Sequence, residues 1–377
     1  GNTVVVKPSE VAPLSTQFAA RLAAEAGLPP GVLNVTQSPA RSVDTMTRED
    51  LLARLRETGL VHGETVRMKT FGGGVSSDVW RVQEGNRTFV VKRSVPKLRV
   101  AADWFADPAR LIYEFRYLKV AGDLVPGCVP KLLTPDFPGD FIAMEYLDGF
   151  RNWKEDLLSG RLEEDVAARA GETLGRLHAS TRARDDIRTQ FDSLRFFYQL
   201  RLDAYLRTTA SKHPGIAPFI EAEANRLADC SECLVHGDFS PKNILVTENR
   251  LVALDCETAW FGDPAFDLAF VLNHLHLKAL YHAPKDPGLG GAITSARTAY
   301  FAHCGLEPND AYALDFRTAR LLLMLLLARA DGKSPVEYLN DPQRATIRSF
   351  VLPRLPSWDG PLDSLTEQWF DHIFLSP

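Results

Sequence analysis

The sequence predicts a two-lobed α+β fold: a small lobe on a five-stranded antiparallel sheet, a larger mainly helical lobe, and a strand–helix extension in front. Three observations carry this. Five short β-rich runs lie between positions 64 and 147, with one helical stretch between the third and fourth. Helical periodicity dominates beyond Gly149, and a compact strand region from Leu234 to Leu254 interrupts it. At 377 residues the chain is long enough for two cores plus an extension.

Residues 1–36 read as a separate piece. NTVVVKPSE is a β-branched strand ending at Pro8, and Val11 to Gly27 is an amphipathic helix stopped by Gly27 and Pro29-Pro30. Gln37 to Thr45 is a polar linker. One strand and one helix cannot bury a core alone, so this piece must dock, pair with another copy or stay partly mobile. The expected divisions are 1–45 for extension and linker, 46–147 for the small lobe and 148–377 for the large one.

Thr47-Arg48-Glu49-Asp50 forms a capping box that opens a helix through Arg56. The strands ETVRMKTF, SDVWRV and RTFVVKR follow, with turns at Gly72–Gly74 and at Glu84-Gly85-Asn86. Asp107-Pro108 starts a helix carrying Leu111, Phe115 and Leu118 on one face. PKLLT and FIAMEYL complete the five strands. In the large lobe, Leu162–Thr181, Asp186–Ala210 and Ala217–Ala228 have helical spacing, and helices resume from Pro264.

Composition excludes several classes. A net charge of -5 argues against nucleic acid, whose phosphates want a basic surface, and is compatible with a cationic substrate. No basic segment followed by an apolar stretch marks a secretory signal. The most apolar run, Leu321–Ala328 between Arg320 and Arg329, is too short to span a bilayer and reads as a buried helix. Five cysteines do not make a disulfide framework in a chain of this length. Cys230 and Cys233 have no second Cys/His pair at zinc spacing, so they read as thiols at a helix-to-strand junction. A reduced cytoplasmic protein with no membrane partner is the expectation.

The chemistry concentrates in LVHGDFSPKNILV. An apolar strand runs into His236-Gly237-Asp238, and Asn243 follows four residues after the aspartate. Phosphoryl transfer needs a carboxylate beside the attacking hydroxyl and an oxygen ligand for magnesium on the same rigid loop; this spacing supplies both. Downstream, Leu251–Leu254 is a buried-looking strand ending on Asp255, where a metal-holding aspartate is expected.

The H-x-D-x4-N pattern matches the protein-kinase catalytic loop, with Gly237 where those kinases carry arginine. Together with Asp255 and the following GDPAFDLA, it resembles the aminoglycoside phosphotransferase and choline kinase-like family, from about Thr47 to the end. The resemblance implies a bilobal protein-kinase-like fold and use of ATP and Mg2+. It implies Asp238 as catalytic base or hydroxyl-orienting group and Asn243 and Asp255 as magnesium ligands. Asp263 and Asp267 look like the family's structural aspartates, capping a loop and a helix.

On the nucleotide side, FGGGVSSDVW lies between the first two strands. There Gly73 and Gly74 let backbone approach phosphates, and Ser76 or Ser77 can donate to them. A simple hairpin loop is the other reading. Lys92 falls on the third strand, where the kinase pattern places the lysine of the α- and β-phosphates, and Glu114 on the next helix is its best partner. Glu145 and Tyr146 end the fifth strand as a hinge whose backbone meets adenine. His178 reads as a packed residue; Lys242 is either a γ-phosphate contact or exposed; Trp260 and Phe261 either line the substrate cleft or belong to the core.

Seven residues separate Asp255 from Asp263, which leaves no room for a peptide-binding activation segment. The expected activity is therefore transfer of the γ-phosphate to a hydroxyl of a small molecule, with specificity set by the helices after Asp267, including NHLHLKALYH and DAYALDFRTAR. A kinase-like nucleotide-binding protein without turnover is one alternative, and an NAD-binding aldehyde dehydrogenase-like protein is a second, less favoured one. Residues 1–36 resemble a fragment of aldehyde dehydrogenase, in which Lys7 and Glu10 would hold the adenosine ribose. No dinucleotide turn or nucleophilic cysteine segment follows, so the piece is read as a fused remnant or a dimerisation element, with a homodimer through it as one expectation.

Overall fold

The computed structural model describes residues 4–6, 33–35, 47–71, 77–95, 107–285 and 288–375. The chain divides into two compact units, Gly1–Met68 and Lys69–Pro377. In the first, strand β1 (Val4–Val6) pairs in parallel with β2 (Leu33–Val35). Helix α1 (Arg48–Glu57) starts at the expected capping box: Asp50 N donates to Thr47 Oγ1 at 3.1 Å, and Thr47 N returns to the Asp50 carboxylate at 3.0 Å. The helix expected over Val11–Gly27 and the linker 37–45 lie outside the described residues.

The small-lobe sheet runs in the order β3 (Val66–Thr70), β4 (Ser77–Glu84), β5 (Arg87–Ser94), β6 (Ile142–Glu145). Glu84 faces Arg87 across a two-residue turn in which Gly85 takes a φ of 57°, the left-handed geometry such hairpins need. The segment expected as the fourth strand lies along β6 as a short bridge, Leu132 to Met144. Leu133 N donates to Ala143 O and Glu145 N to Lys131 O, both at 2.9 Å. Between β5 and β6 stands α2 (Arg110–Leu124), with Leu111, Phe115 and Leu118 buried as their spacing predicts and Glu114 buried beside them.

The large lobe holds two small ribbons among its helices. One takes the order β10–β9–β7, from β7 (Arg151–Asn152), β9 (Ile244–Val246) and β10 (Leu251–Ala253). The other pairs β8 (Cys233–Val235) with β11 (Trp260–Gly262), antiparallel. Around them pack α3 (Trp153–Leu158), α4 (Glu164–Thr181), α5 (Ala217–Asp229), α6 (Ala265–His282), α7 (Leu289–His303) and α8 (Pro308–Asp331), then α9 (Asp341–Arg354) and α10 (Leu362–Leu375). α4 and α7 meet at backbone distance: a Cβ on Gly171 would stand 2.0 Å from Ala296 O.

The helix expected over Asp186–Ala210 is two pieces. A short turn, Asp185–Arg188, is followed by a run from Leu194 to Lys212, widened in its centre by bonds such as Thr208 N to Asp203 O. The chain turns between them because Ser193 donates its hydroxyl to Ala259 O at 2.6 Å and Phe191 and Phe196 are both buried. Leu321–Ala328 is buried inside α8, and no helix among the described residues is long and apolar enough to cross a membrane.

Candidate active site

β8 is buried throughout and delivers His236, Gly237 and Asp238 to the centre of the large lobe. The loop is held by Asp267, in the first turn of α6, which accepts His236 N at 2.7 Å and Gly237 N at 2.9 Å. His178, fully buried on α4, stands between Tyr300 Oη at 3.0 Å and Asp267 Oδ2 at 3.4 Å, the packed role its sequence suggests. Asp263 caps the start of α6 through Ala265 N at 2.9 Å and receives Arg226 and Arg317. Gly237 has a φ of 80°, and a Cβ there would lie 2.6 Å from Thr258 Oγ1 and 2.7 Å from its carbonyl oxygen. His236 accepts from Asp238 N at 3.1 Å through Nδ1, and burial lowers its pKa, so the imidazole is neutral.

Asn243 Nδ2 donates to Asp238 Oδ2 at 2.7 Å and to its carbonyl oxygen at 3.1 Å, so the two residues separated by four in the sequence are one hydrogen-bonded pair. Arg201 completes the support, with Nε on Gly237 O at 2.6 Å and Nη2 at 3.1 Å from Asp238 Oδ2. Leu254 N donates to Asn243 O at 2.8 Å, which fixes the loop against the segment carrying Asp255.

Asp255 sits just past β10 with a φ of 63°, uncommon for a residue with a Cβ. Its Oδ1 accepts Lys92 Nζ at 2.6 Å, and the same ammonium reaches Glu114 Oε1 at 2.7 Å. Lys92 on β5 is only 6% exposed; burial works against its charge, but Asp255, Glu114 and Glu257 raise its pKa further. Burial opposes ionisation of Asp255 too, and Lys92, Lys242 and Arg201 override it and hold the carboxyl well below its usual range. Burial pushes Glu114 up to about 7 against the pull of Lys92.

Glu257 pairs with Arg110 at 2.8 Å. The carboxylates of Glu114, Asp255 and Glu257 offer oxygens within 4.8 Å of one another, with Lys92 and Arg110 as their ion-pair partners among the described residues. Glu114 Oε2 has no partner among the described residues. Clustered hard oxygen donors fit a divalent ion such as Mg2+.

These groups open into one cleft of about 960 Å³. Its small-lobe side carries Val79, Val90, Met144 and Leu147, with Phe71 and Tyr146 stacked at 6.4 Å between ring centroids. Ser77 lines it from the start of β4; Gly73, Gly74 and Ser76 lie outside the described residues. The Glu145 carboxylate accepts Arg250 Nη2 at 2.6 Å and Lys131 N at 2.8 Å, so its side chain ties the end of β6 to both segments.

The large-lobe side is lined by Lys154, Arg201, Tyr205, Lys242, His274 and Arg329. Of these, Lys242 and the NHLHLKALYH segment containing His274 were marked by the sequence; the others stand in helices with no local signature. Among the described residues DAYALDFRTAR does not line the cleft, and its Arg317 ties Glu232 and Asp263 instead. Trp260 and Phe261 are buried in the two cores, Trp260 stacked on Phe197 at 3.4 Å, and do not line the cleft. Cys230 follows the end of α5 and Cys233 opens β8; burial first, then Asp263 and Glu232, push the Cys230 thiol up to about 12.

Comparison with known proteins adds two findings. A family model described as the phosphotransferase enzyme family matches residues 67–299, and the model of the aldehyde dehydrogenase family matches residues 1–65. Methylthioribose kinase from Bacillus velezensis is 24% identical over 269 residues, covering 63% of this chain and 68% of that protein. The NADP/NAD-dependent aldehyde dehydrogenase PuuC from Escherichia coli is 31% identical over 145 residues; the match covers 38% of this chain and only 28% of that enzyme. Among solved structures, a choline/ethanolamine kinase family protein from Mesorhizobium loti aligns over 87% of this chain and 99% of that one, with a TM-score of 0.47 and 15% identity.

Proposed function

The chain belongs to the phosphotransferase enzyme family, and from that premise we propose that it transfers the γ-phosphate of ATP, with Mg2+, to a hydroxyl group of a small molecule. The observation that supports this best is the convergence of Lys92, Glu114, Asp238, Asn243 and Asp255 on one cleft. In this reading residues 46–147 form the nucleotide lobe, 148–377 the catalytic and acceptor lobe, and 1–45 a remnant of aldehyde dehydrogenase type with its linker.

Asp238 takes or orients the proton of the acceptor hydroxyl. It is aimed by Asn243 Nδ2 and Arg201 Nη2. The acceptor oxygen forms a bond to the γ-phosphorus as the bond from that phosphorus to the β,γ-bridging oxygen breaks, and ADP leaves. Lys92, which pairs with Asp255 and Glu114, would meet the α- and β-phosphates. Asn243 and Asp255 would hold the magnesium, which supplies neutralisation of the phosphate charge. The Phe71–Tyr146 stack and the apolar strand residues Val79 and Val90 suit a purine ring, with the backbone of Glu145 and Tyr146 at its edge.

The test is ATP consumption with magnesium across aminoglycosides, sugars, amino alcohols, hydroxy acids and macrolides, beside Asp238→Ala. Acceptor-dependent turnover that the variant loses by at least a hundredfold, with nucleotide still bound, is the expected result. Nucleotide binding with no turnover on any acceptor would leave a binding protein and sink the proposal.

A further inference from the structure

Among the described residues, the cleft carries basic side chains that no carboxylate pairs. Arg329 is 8% exposed, and its recorded bonds run through Nη1 to neutral oxygens: Tyr205 Oη at 3.0 Å, Ser334 Oγ at 3.2 Å and Ser334 O. Its Nε is buried with no partner among the described residues, and it forms no ion pair there. Behind it Lys278, 1% exposed, donates to His274 O at 3.4 Å and has no carboxylate partner among the described residues. Lys242 lines the cleft without an ion pair, although Asp238 raises its pKa.

The carboxylates that the large lobe brings to the cleft are Asp238, Asp255, Glu257 and Glu337. Arg201 stands on the first, Lys92 on the second, Arg110 on the third and Lys154 on the fourth. Each carboxylate is already engaged, and Arg329 is left with no ion pair among the described residues. His274 feels the neighbouring cations: burial and the charges of Lys278, Arg329, Lys242 and Lys154 push its pKa well below the usual value. Aromatic faces offset part of that charge, with Arg329 over Tyr205 at 5.4 Å and Lys278 over Tyr338 at 5.2 Å. A buried guanidinium without a counter-ion is costly, and an anionic ligand supplies what the protein leaves out.

We infer that the acceptor is an alcohol carrying an anionic group, a carboxylate or a phosphate, which docks on Arg329 and Lys154 while its hydroxyl reaches Asp238. The inference rests on the phosphotransferase reading for the hydroxyl and on the cleft alone for the anion. A polycationic acceptor would face this wall with like charge. The net negative charge of the whole chain by itself suits a cationic substrate, but the unpaired guanidinium of Arg329 in the cleft favours an anion there.

Two matched sets of compounds test it: glycerate, glycerol 3-phosphate, glycerol and 3-amino-1,2-propanediol; then gluconate, glucose 6-phosphate, glucose and glucosamine. ADP release and thermal stabilisation are measured for the wild type, Arg329→Met and Lys154→Met. Within at least one set, the anionic members are expected to stabilise the protein and to turn over at least tenfold better in kcat/KM than neutral or cationic ones. The carboxylate and phosphate arms tell which anion is read. Either substitution should raise the anionic acceptor's KM at least tenfold and leave the KM of ATP within about twofold; Lys154→Met serves if the buried arginine variant fails to fold.

Equal or better turnover of the cationic members overturns the inference, as does a substitution that weakens ATP and not the acceptor. If no compound turns over but anionic members still stabilise the wild type and not the variants, the anion site stands and the phosphotransferase reading fails. If no anionic member binds, the inference itself is wrong.

Discussion

Asp267→Asn separates the support of the catalytic loop from the loop's own chemistry. The carboxylate is fully buried and accepts two backbone N–H groups, from His236 at 2.7 Å and Gly237 at 2.9 Å. An asparagine of the same shape keeps one acceptor oxygen and turns an NH2 toward the other donor. One charge-assisted hydrogen bond is lost, worth about 1.5–3 kcal/mol, and the facing donors are left unsatisfied at a cost of about 1–3 kcal/mol more. A destabilisation of about 3–5 kcal/mol is therefore expected, a large part of a typical domain's stability. Urea unfolding followed by tryptophan fluorescence measures it. Because Asp238 follows directly, kcat should fall on the order of a hundredfold, as displacements of about 1 Å can do, while the KM of ATP changes little. A variant within about 0.5 kcal/mol of wild type, with unchanged kcat, would show that these hydrogen bonds neither hold the loop nor aim it.

Two further changes test other parts of the same framework. Gly237→Ala places a Cβ 2.6 Å from Thr258 Oγ1 at a φ of 80°; left-handed backbone and overpacking together should cost about 2–5 kcal/mol in urea unfolding, and a loss under about 1 kcal/mol would mean the loop relaxes freely. Lys278→Met removes an amine that burial, with Lys154 and Arg329, pushes down to about 7. Between that value and the ordinary lysine range the unfolded chain binds a proton the native amine has released, so wild-type stability rises with pH in this window. The stability advantage of the Met variant should shrink by about 2 kcal/mol from pH 7 to pH 9, and a gap independent of pH would place the amine's titration elsewhere.

The parts legible in the sequence are those whose chemistry forces neighbours in the chain. Asp238 and Asn243 lie on one tight loop, Asp255 ends the next hairpin, and Thr47 with Asp50 forms a capping box whose both bonds are present. Lys92 and Glu114 were paired from strand and helix order and stand 2.7 Å apart. What the sequence hid are contacts made between helices. Spacing tells which face of a helix is buried, but not what it is buried against, so Arg201, Tyr205 and Arg329 carry no local mark. The break before Leu194 was hidden for the same reason, since its cause is the Ala259 carbonyl 66 residues away from Ser193.

Gly237 and Arg201 show how such a hidden contact completes a visible motif. In the protein-kinase loop an arginine stands between the histidine and the aspartate. Here the corresponding Cβ would run into Thr258, and the left-handed φ excludes any ordinary side chain. The positive charge beside Asp238 must come from another element, and Arg201 brings it from the widened helix, bonded to Gly237 O and next to Asp238 Oδ2. Tyr205, four residues further along, lies under both Arg201 and Arg329, with 5.6 and 5.4 Å from each guanidinium to the ring centroid. One helical face thus carries the charge that steadies Asp238 and the ring beneath the Arg329 guanidinium. With the arginine outside the loop, Tyr205 links the surroundings of Asp238 to those of Arg329, so a change at Tyr205 should disturb both at once.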